Sequence, residues 1–269
     1  KTKRDNPADG DNSWSNRKMG MVNLIVQQNS DLLGMQEVLN GQLQYLSKTL
    51  KGYEYIGVGR DDGQQAGEYS PLFYRTKRFS IIKSGWFWLS ATPDVPGKGW
   101  DAACTRICTW ALMKDKSTKK DVLVMNTHLD HEGKLARENS LNQLISFIQQ
   151  QYSDYMGAAS KEERTGLPVL LIGDFNLSPD DPLYELLKKS NMTLREGLTD
   201  AYLATATPPV GETGTFNGFE VDKTPANRID YVWSAGMEIK SYKSIDQKLP
   251  NGHWPSDHLP VVVEAEFSE

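Results

Sequence analysis

Short apolar runs that end in polar groups constrain this chain more than any other feature. "DLLGMQEV" closes on Gln36 and Glu37, "DVLVMNTHLD" reaches Asn126, Thr127 and His128, and "PVLLIGDFN" ends on Asp174 and Asn176. "RIDYVW" carries Asp230, and the loop "HWPSDHLP" carries Asp257 and His258 just before the last apolar run. Short apolar runs bounded by turn residues read as strands. A sheet gathers the ends of its strands on one edge, and that edge is where ligands bind in open α/β layers.

Helical patterns lie between these runs. Met21, Leu24, Ile25 and Gln28 have helical spacing after a polar loop over residues 1–16, and Leu39, Leu43, Leu46 and Leu50 mark a second face closed by Gly52. Leu141, Leu144, Ile145 and Ile148 mark a third, and "DDPLYELLKKS" reads as a capped helix with Pro182 in its first turn. "YEYIGVG", "PLFY", "FSIIKSGWFWLS", "RICTWALM", "MEIKSYKSI" and "LPVVVEAEF" complete the strands. Short turns join many of them, which predicts a mixed or antiparallel sheet rather than a fully parallel one. No linker, repeat or low-complexity tract divides the 269 residues. The expectation is one domain over residues 1–269, an α/β (α+β) chain with two sheets and helices outside them.

The charge balance excludes one broad class. A net charge of −5 does not suit a general polyanion binder, whose affinity comes from lysine and arginine. No apolar run is long enough to span a membrane. Cys104 and Cys108, placed on one strand, would stand about 13 Å apart, too far for a disulfide. The opening "KTKRDNPADGDNSW" does not read as a natural start. It points to processing or an upstream segment, and favours a soluble, secreted or periplasmic protein over a cytoplasmic one.

All four histidines, His128, His131, His253 and His258, fall in or directly after two of the polar-ended segments. Histidine moves protons near neutral pH, and two of them converging with carboxylates suggest a general acid and a general base. Glu37, Asp174, Asn176 and Asp257 offer hard oxygen ligands, which suit Mg²⁺ or Mn²⁺ rather than zinc. Arg106, at a strand start, is placed to fork onto a phosphate. Gly173 reads as a residue that lets the chain turn tightly where substrate approaches. Taken singly, each of these has a plain structural explanation: "GDFN" as an Asx-type turn, Asp257-His258 as a loop salt link, Arg106 as a surface ion pair. Trp86, Trp88, Trp100 and Trp110 read as core or loop anchors. The joint pattern is more specific than any member.

In this order, "MQEV", "NTHLD", "GDFN", "RIDYV" and "SDHLPV" resemble the endonuclease/exonuclease/phosphatase superfamily, with its deoxyribonuclease I fold. "NPADGDNSWSNRK", "GWDAA" and "TRICTW" further resemble a bacterial branch of that family with no firmly implied substrate. The resemblance implies a four-layer sandwich of two mostly antiparallel sheets packed face to face, with helices on the outer faces. It implies Glu37 as metal ligand with Asp257 near the metal, and His128 as a donor to the phosphate. It implies Asp174 and Asn176 as the pair that positions the nucleophile and stabilises the transition state, Asp230 as the orienter of His258, and His258 as base or phosphate contact. Arg106 and His131 are further substrate-binding candidates. The family usually opens with a strand carrying an asparagine. That strand has no counterpart here, since Asn6 falls too late, so it is expected upstream or missing.

The functional expectation is a Mg²⁺-dependent phosphoesterase in which activated water attacks a phosphodiester or phosphomonoester in line. A DNA or RNA endonuclease or exonuclease is the alternative within the family, and nucleic acid is an allowed but not required partner. The acidic balance favours a small or lipid-like phosphate. A glycoside hydrolase would use paired carboxylates but has no need of His128 or His258. An inactive binding module would explain the missing asparagine but not the retention of every other motif.

Overall fold

The computed structural model describes residues 7–158, 166–189 and 197–268. Asn6 lies outside them. A 3₁₀ turn over Pro7–Asn12 leads into α1 (Trp14–Gln28), so helix begins inside the stretch expected to be loop. Asn29 ends α1 in the left-handed region at φ 52°. β1 (Leu32–Gly34), α2 (Asn40–Thr49), β2 (Tyr53–Ile56) and β3 (Leu72–Arg75) follow. Then come the long hairpin strands β4 (Phe79–Trp88), β5 (Ile107–Asp115) and β6 (Asp121–His128). Helix α3 (Lys134–Ala158) crosses over to β7 (Val169–Asp174). The chain ends with α4 (Pro182–Lys188), β8 (Thr199–Asp200), α5 (Ala201–Ala204), β9 (Asp230–Ala235), β10 (Met237–Ser244) and β11 (Val261–Phe267). β8 and α5 are too short to leave a periodic signal in the sequence.

Six strands form one sheet in the order β4-β5-β6-β7-β9-β8. Every pair in it is antiparallel except β6 with β7. A parallel pair needs a crossover, and α3 supplies it. The alternation of side chains along these strands feeds two cores. Leu123 and Met125 face α3 and α4, packing with Leu141, Leu144, Ile148 and Leu187. Val122 and Val124 face the other way, onto Leu72 and Tyr74 of β3. Between those two, Phe73 turns outward to Val22 of α1 and Leu43, Leu46 and Leu50 of α2. The result is four layers: helices, the six-stranded sheet, a second sheet layer, and helices again.

That second layer is split. It consists of a three-stranded piece, β1-β3-β2, and a two-stranded piece, β10-β11. Among the described residues the outer edge of β1 and that of β11 pair with nothing. A cleft of about 730 Å³ runs between them, with Leu32 to Gly34 on one wall, Val261 to Val263 on the other, and Val124, Leu170 and Ile172 on its floor. Asp174, Asp230 and His258 also line it. No strand precedes α1 among the described residues.

Asn126, buried completely, ties the two layers together. Its amide donates to the carbonyls of Met35 and Pro71, and its Oδ1 accepts from Gln36 Nε2 at 2.7 Å. Both polar residues, which the sequence placed beside the site, are therefore brackets between sheets. Cys108 lies in β5 while Cys104 precedes it, and both are free thiols.

Candidate active site

The site assembles at the C-terminal ends of β6 and β7, which lie side by side in register. His128 pairs with Asp174 across them, and Asp174 pairs in turn with Asp230, the first residue of β9. Gly173 explains how the strands come so close. A Cβ there would sit 2.0 Å from the Thr127 carbonyl oxygen, at a φ of 145°. The neighbouring strand alone therefore requires a glycine here.

Asp174 is buried and central. Its Oδ2 lies 3.3 Å from His128 Nε2 and 3.9 Å from His258 Nε2, and its Oδ1 accepts from the Asn176 amide N–H at 2.9 Å. Burial raises its pKa, and the Asp230 charge raises it further, against the opposing pull of His258. His258 Nδ1 lies 2.8 Å from Asp230 Oδ2. Burial alone would depress this imidazole, but the Asp230 carboxylate, then Asp174 and Asp257, carry its pKa upward. His128 goes the other way. Desolvation first, then the Arg106 and Arg60 guanidiniums, hold it well below its ordinary value. The two imidazoles are therefore shifted in opposite directions, with Asp174 between them.

Asn176 fixes the neutral one. Its Nδ2 donates to His128 Nε2 at 3.0 Å and to the Leu129 carbonyl at 3.0 Å. With Nε2 accepting, the imidazole proton belongs on Nδ1, which is buried without a hydrogen-bond partner. Both amide hydrogens of Asn176 are thus spent on positioning. Asn176 and Glu37 adopt left-handed backbone, at φ 48° and 57°. Non-glycine residues held there are strained, and such strain collects at functional sites.

Glu37 and Asp257 both line the cleft, but they do not share one cluster of ligand atoms. Glu37 instead groups with Glu68 and His128, and Asp174 groups with Asp230 and His258, each set within 4.8 Å. These carboxylate-rich donor sets fit a hard divalent cation. Glu68 was missed in the sequence because it sits in an irregular loop without periodicity. Arg60 of the same loop pairs with it at 2.6 Å.

Arg106 is buried, and two of its three guanidinium nitrogens are engaged. Nε lies 3.3 Å from Asp130 Oδ2 and Nη2 lies 2.9 Å from His131 Nδ1, while Nη1 has no hydrogen-bond partner. Arg106 and His131 are therefore partners of each other, one step behind His128. His253 stands apart, 3.3 Å from Asp11.

Among the described residues no helix is long and apolar enough to cross a membrane. The Endonuclease/Exonuclease/phosphatase family model matches residues 10–258. An endonuclease/exonuclease/phosphatase of Bacteroides vulgatus is 36% identical, with 98% of this chain and 95% of that one covered and a TM-score of 0.84. The mannosyl-6-phosphatase Bt3783 of Bacteroides thetaiotaomicron is also 36% identical, over 97% and 94% of the two chains, at a TM-score of 0.83. The exoribonuclease subunit Ccr4 of Yarrowia lipolytica is 22% identical over 95% of this chain, which spans only 44% of that protein. The four layers, the strand-end site and these matches agree: the chain belongs to the endonuclease/exonuclease/phosphatase family.

Proposed function

We propose that this protein is a Mg²⁺- or Mn²⁺-dependent phosphoesterase acting on small phosphomonoesters, sugar phosphates first. The observation that carries the reading is the buried Asp174 set between two histidines, 3.3 Å from His128 Nε2 and 3.9 Å from His258 Nε2, with Asp230 behind His258 at 2.8 Å. The 36% identity to a mannosyl-6-phosphatase supports the substrate class, and the net charge of −5 fits one small phosphate better than a long polyanion.

Glu37 and Glu68 would hold the metal, with Asp257 on the wall of the same cleft. When bound, such an ion offsets charge on the phosphoryl oxygens. In this reading Asp174, whose raised pKa makes it a stronger base, accepts the proton of the attacking water. His258, kept protonated by Asp230, donates to a phosphoryl or leaving-group oxygen. His128, oriented by Asn176, backs Asp174 from just behind the cleft. Arg106, with His131 as its hydrogen-bond partner, supports His128 from behind and adds positive potential.

The split second layer belongs to the same reading. A gap flanked by two unpaired strand edges suits one extended segment. We assign it to the family's opening strand, which the described residues lack. Hydrogen exchange tests this: amides of Val261–Phe267 should be slowed when a strand of the family's opening sequence is added, and equal exchange with and without it refutes it.

A nuclease is the second reading, favoured by the Ccr4 relatives. A panel of p-nitrophenyl phosphate, its bis ester, mannose 6-phosphate, RNA and DNA, each with Mg²⁺, Mn²⁺ or EDTA, decides between them. The proposal predicts metal-dependent turnover with the monoesters fastest. Faster turnover of RNA or DNA favours the nuclease, and turnover in EDTA rejects the metal.

A further inference from the structure

Phe216 is an exposed aromatic side chain set against His258, and the hydrolysis chemistry has no use for it. The residue is 40% exposed. Its ring nevertheless meets the His258 imidazole edge to face, with centroids 5.0 Å apart and planes at 64°. The backbone around it is clamped on both sides. The Phe216 N–H donates to the Asn227 carbonyl, and Thr215 Oγ1 accepts from the amides of Ile229 and Asp230. The Asn217 and Gly218 amides donate to the Asp257 carbonyl, and the Leu259 amide donates to that of Thr215. This segment joins the start of β9 to the His258 loop, and Phe216 stands at the joint.

A phenyl ring left in water forgoes the burial that stabilises aromatic residues elsewhere. Held rigidly, it offers a flat apolar surface to a ligand at little cost in ordering. It carries no hydrogen-bonding group, so it recognises the shape of a ring and not a pattern of donors. Its position beside His258 is also informative. A phosphate held by His258 and Asp174 leaves its ester substituent to be received by whatever borders that pair.

We infer that Phe216 is the platform on which the substrate's leaving group stacks, and that this group is a pyranose ring presenting its C–H face. The inference rests on the phosphomonoesterase reading and adds to it the residue that selects the alcohol. The acidic balance of the chain argues for a neutral sugar on that surface over an extended nucleic acid.

The test compares wild type, Phe216→Ala and Phe216→Tyr on mannose 6-phosphate, adenosine 5′-phosphate and glycerol 1-phosphate, which has no ring. Phe216→Ala should lower kcat/KM for mannose 6-phosphate about tenfold, mainly through KM. It should leave glycerol 1-phosphate within about twofold, and Phe216→Tyr should restore the sugar phosphate. The pH profile of kcat should not move. An equal loss on all three substrates would show that Phe216 merely holds His258, and no loss on any would show that it is idle; either overturns the platform while the hydrolase stands. A larger Phe216-dependent preference for adenosine 5′-phosphate overturns the pyranose assignment. Failure of the wild type on every monoester, with metal present, overturns the hydrolase reading and the platform together.

Discussion

Replacing Asp230 by asparagine should move the whole pH–rate profile toward acid, because one carboxylate sets two pKa values in the same direction. Asp230 Oδ2 lies 2.8 Å from His258 Nδ1, and the Asp230 charge raises both His258 and Asp174. An opposite charge at hydrogen-bond distance in a partly buried site is worth about 1–3 pKa units. The isosteric Asp230→Asn removes the charge and keeps the shape. His258 then loses its proton at lower pH, so the alkaline limb falls by about 1–3 units. Asp174 ionises at lower pH as well, so the acid limb moves the same way. Each unit is worth about 1.4 kcal/mol of interaction with the charged form. The assay is kcat against pH from 5 to 10 on p-nitrophenyl phosphate, with the His258 imidazole followed by NMR. Limbs that move in opposite directions, or an unmoved His258 titration, would refute the coupling.

Other perturbations test separate parts of the structure. Gly173→Ala should destabilise the fold by at least about 2 kcal/mol, because the new methyl meets the Thr127 carbonyl at 2.0 Å; calorimetry should show a Tm lower by about 4–8 °C. Glu37→Gln and Glu68→Gln should each raise the metal concentration for half-maximal activity by about ten- to a hundredfold. A Glu68→Gln enzyme with unchanged metal response would remove Glu68 from the site. Burial works against the Asp130 carboxylate, but the amides of Gly133, Ala103, Cys104 and Glu132 hold it below the usual range. A carboxylate depressed on folding stabilises above its unfolded pKa, about 3.9, and that contribution is lost as pH falls through the folded value. Asp130→Asn should therefore melt earlier than wild type at pH 7, with the gap closing below about pH 4.

The strand ends were legible because two signals coincide there. An apolar run gives the strand, and the polar residues after it have no packing reason to recur. Glu37, His128, Asp174, Asn176, Asp230, Asp257 and His258 were all singled out this way, and all but His128 and Asn176 line the cleft itself. The sequence was silent where position depends on contacts distant in the chain. Glu68 and Arg60 lie in a loop without period, and only the fold brings their ion pair to His128. Gln36 and Asn126 carried the same strand-end signal as the site residues, yet they serve to bracket two sheets. Gly173 stood out in the sequence, but its contact with Thr127 did not, since sequence spacing does not place that strand beside it. Phe216 left no signal at all. A phenylalanine in a glycine-rich loop looks like core until its exposure and its contact with His258 are seen.

Asp174 is the group on which the account turns, since it faces both histidines and is assigned the proton of the attacking water. Single-turnover hydrolysis of p-nitrophenyl phosphate by metal-loaded Asp174→Ala measures its role most directly. The account predicts a rate at least about a hundredfold below wild type, with phosphate binding by calorimetry retained. A rate equal to wild type would contradict it.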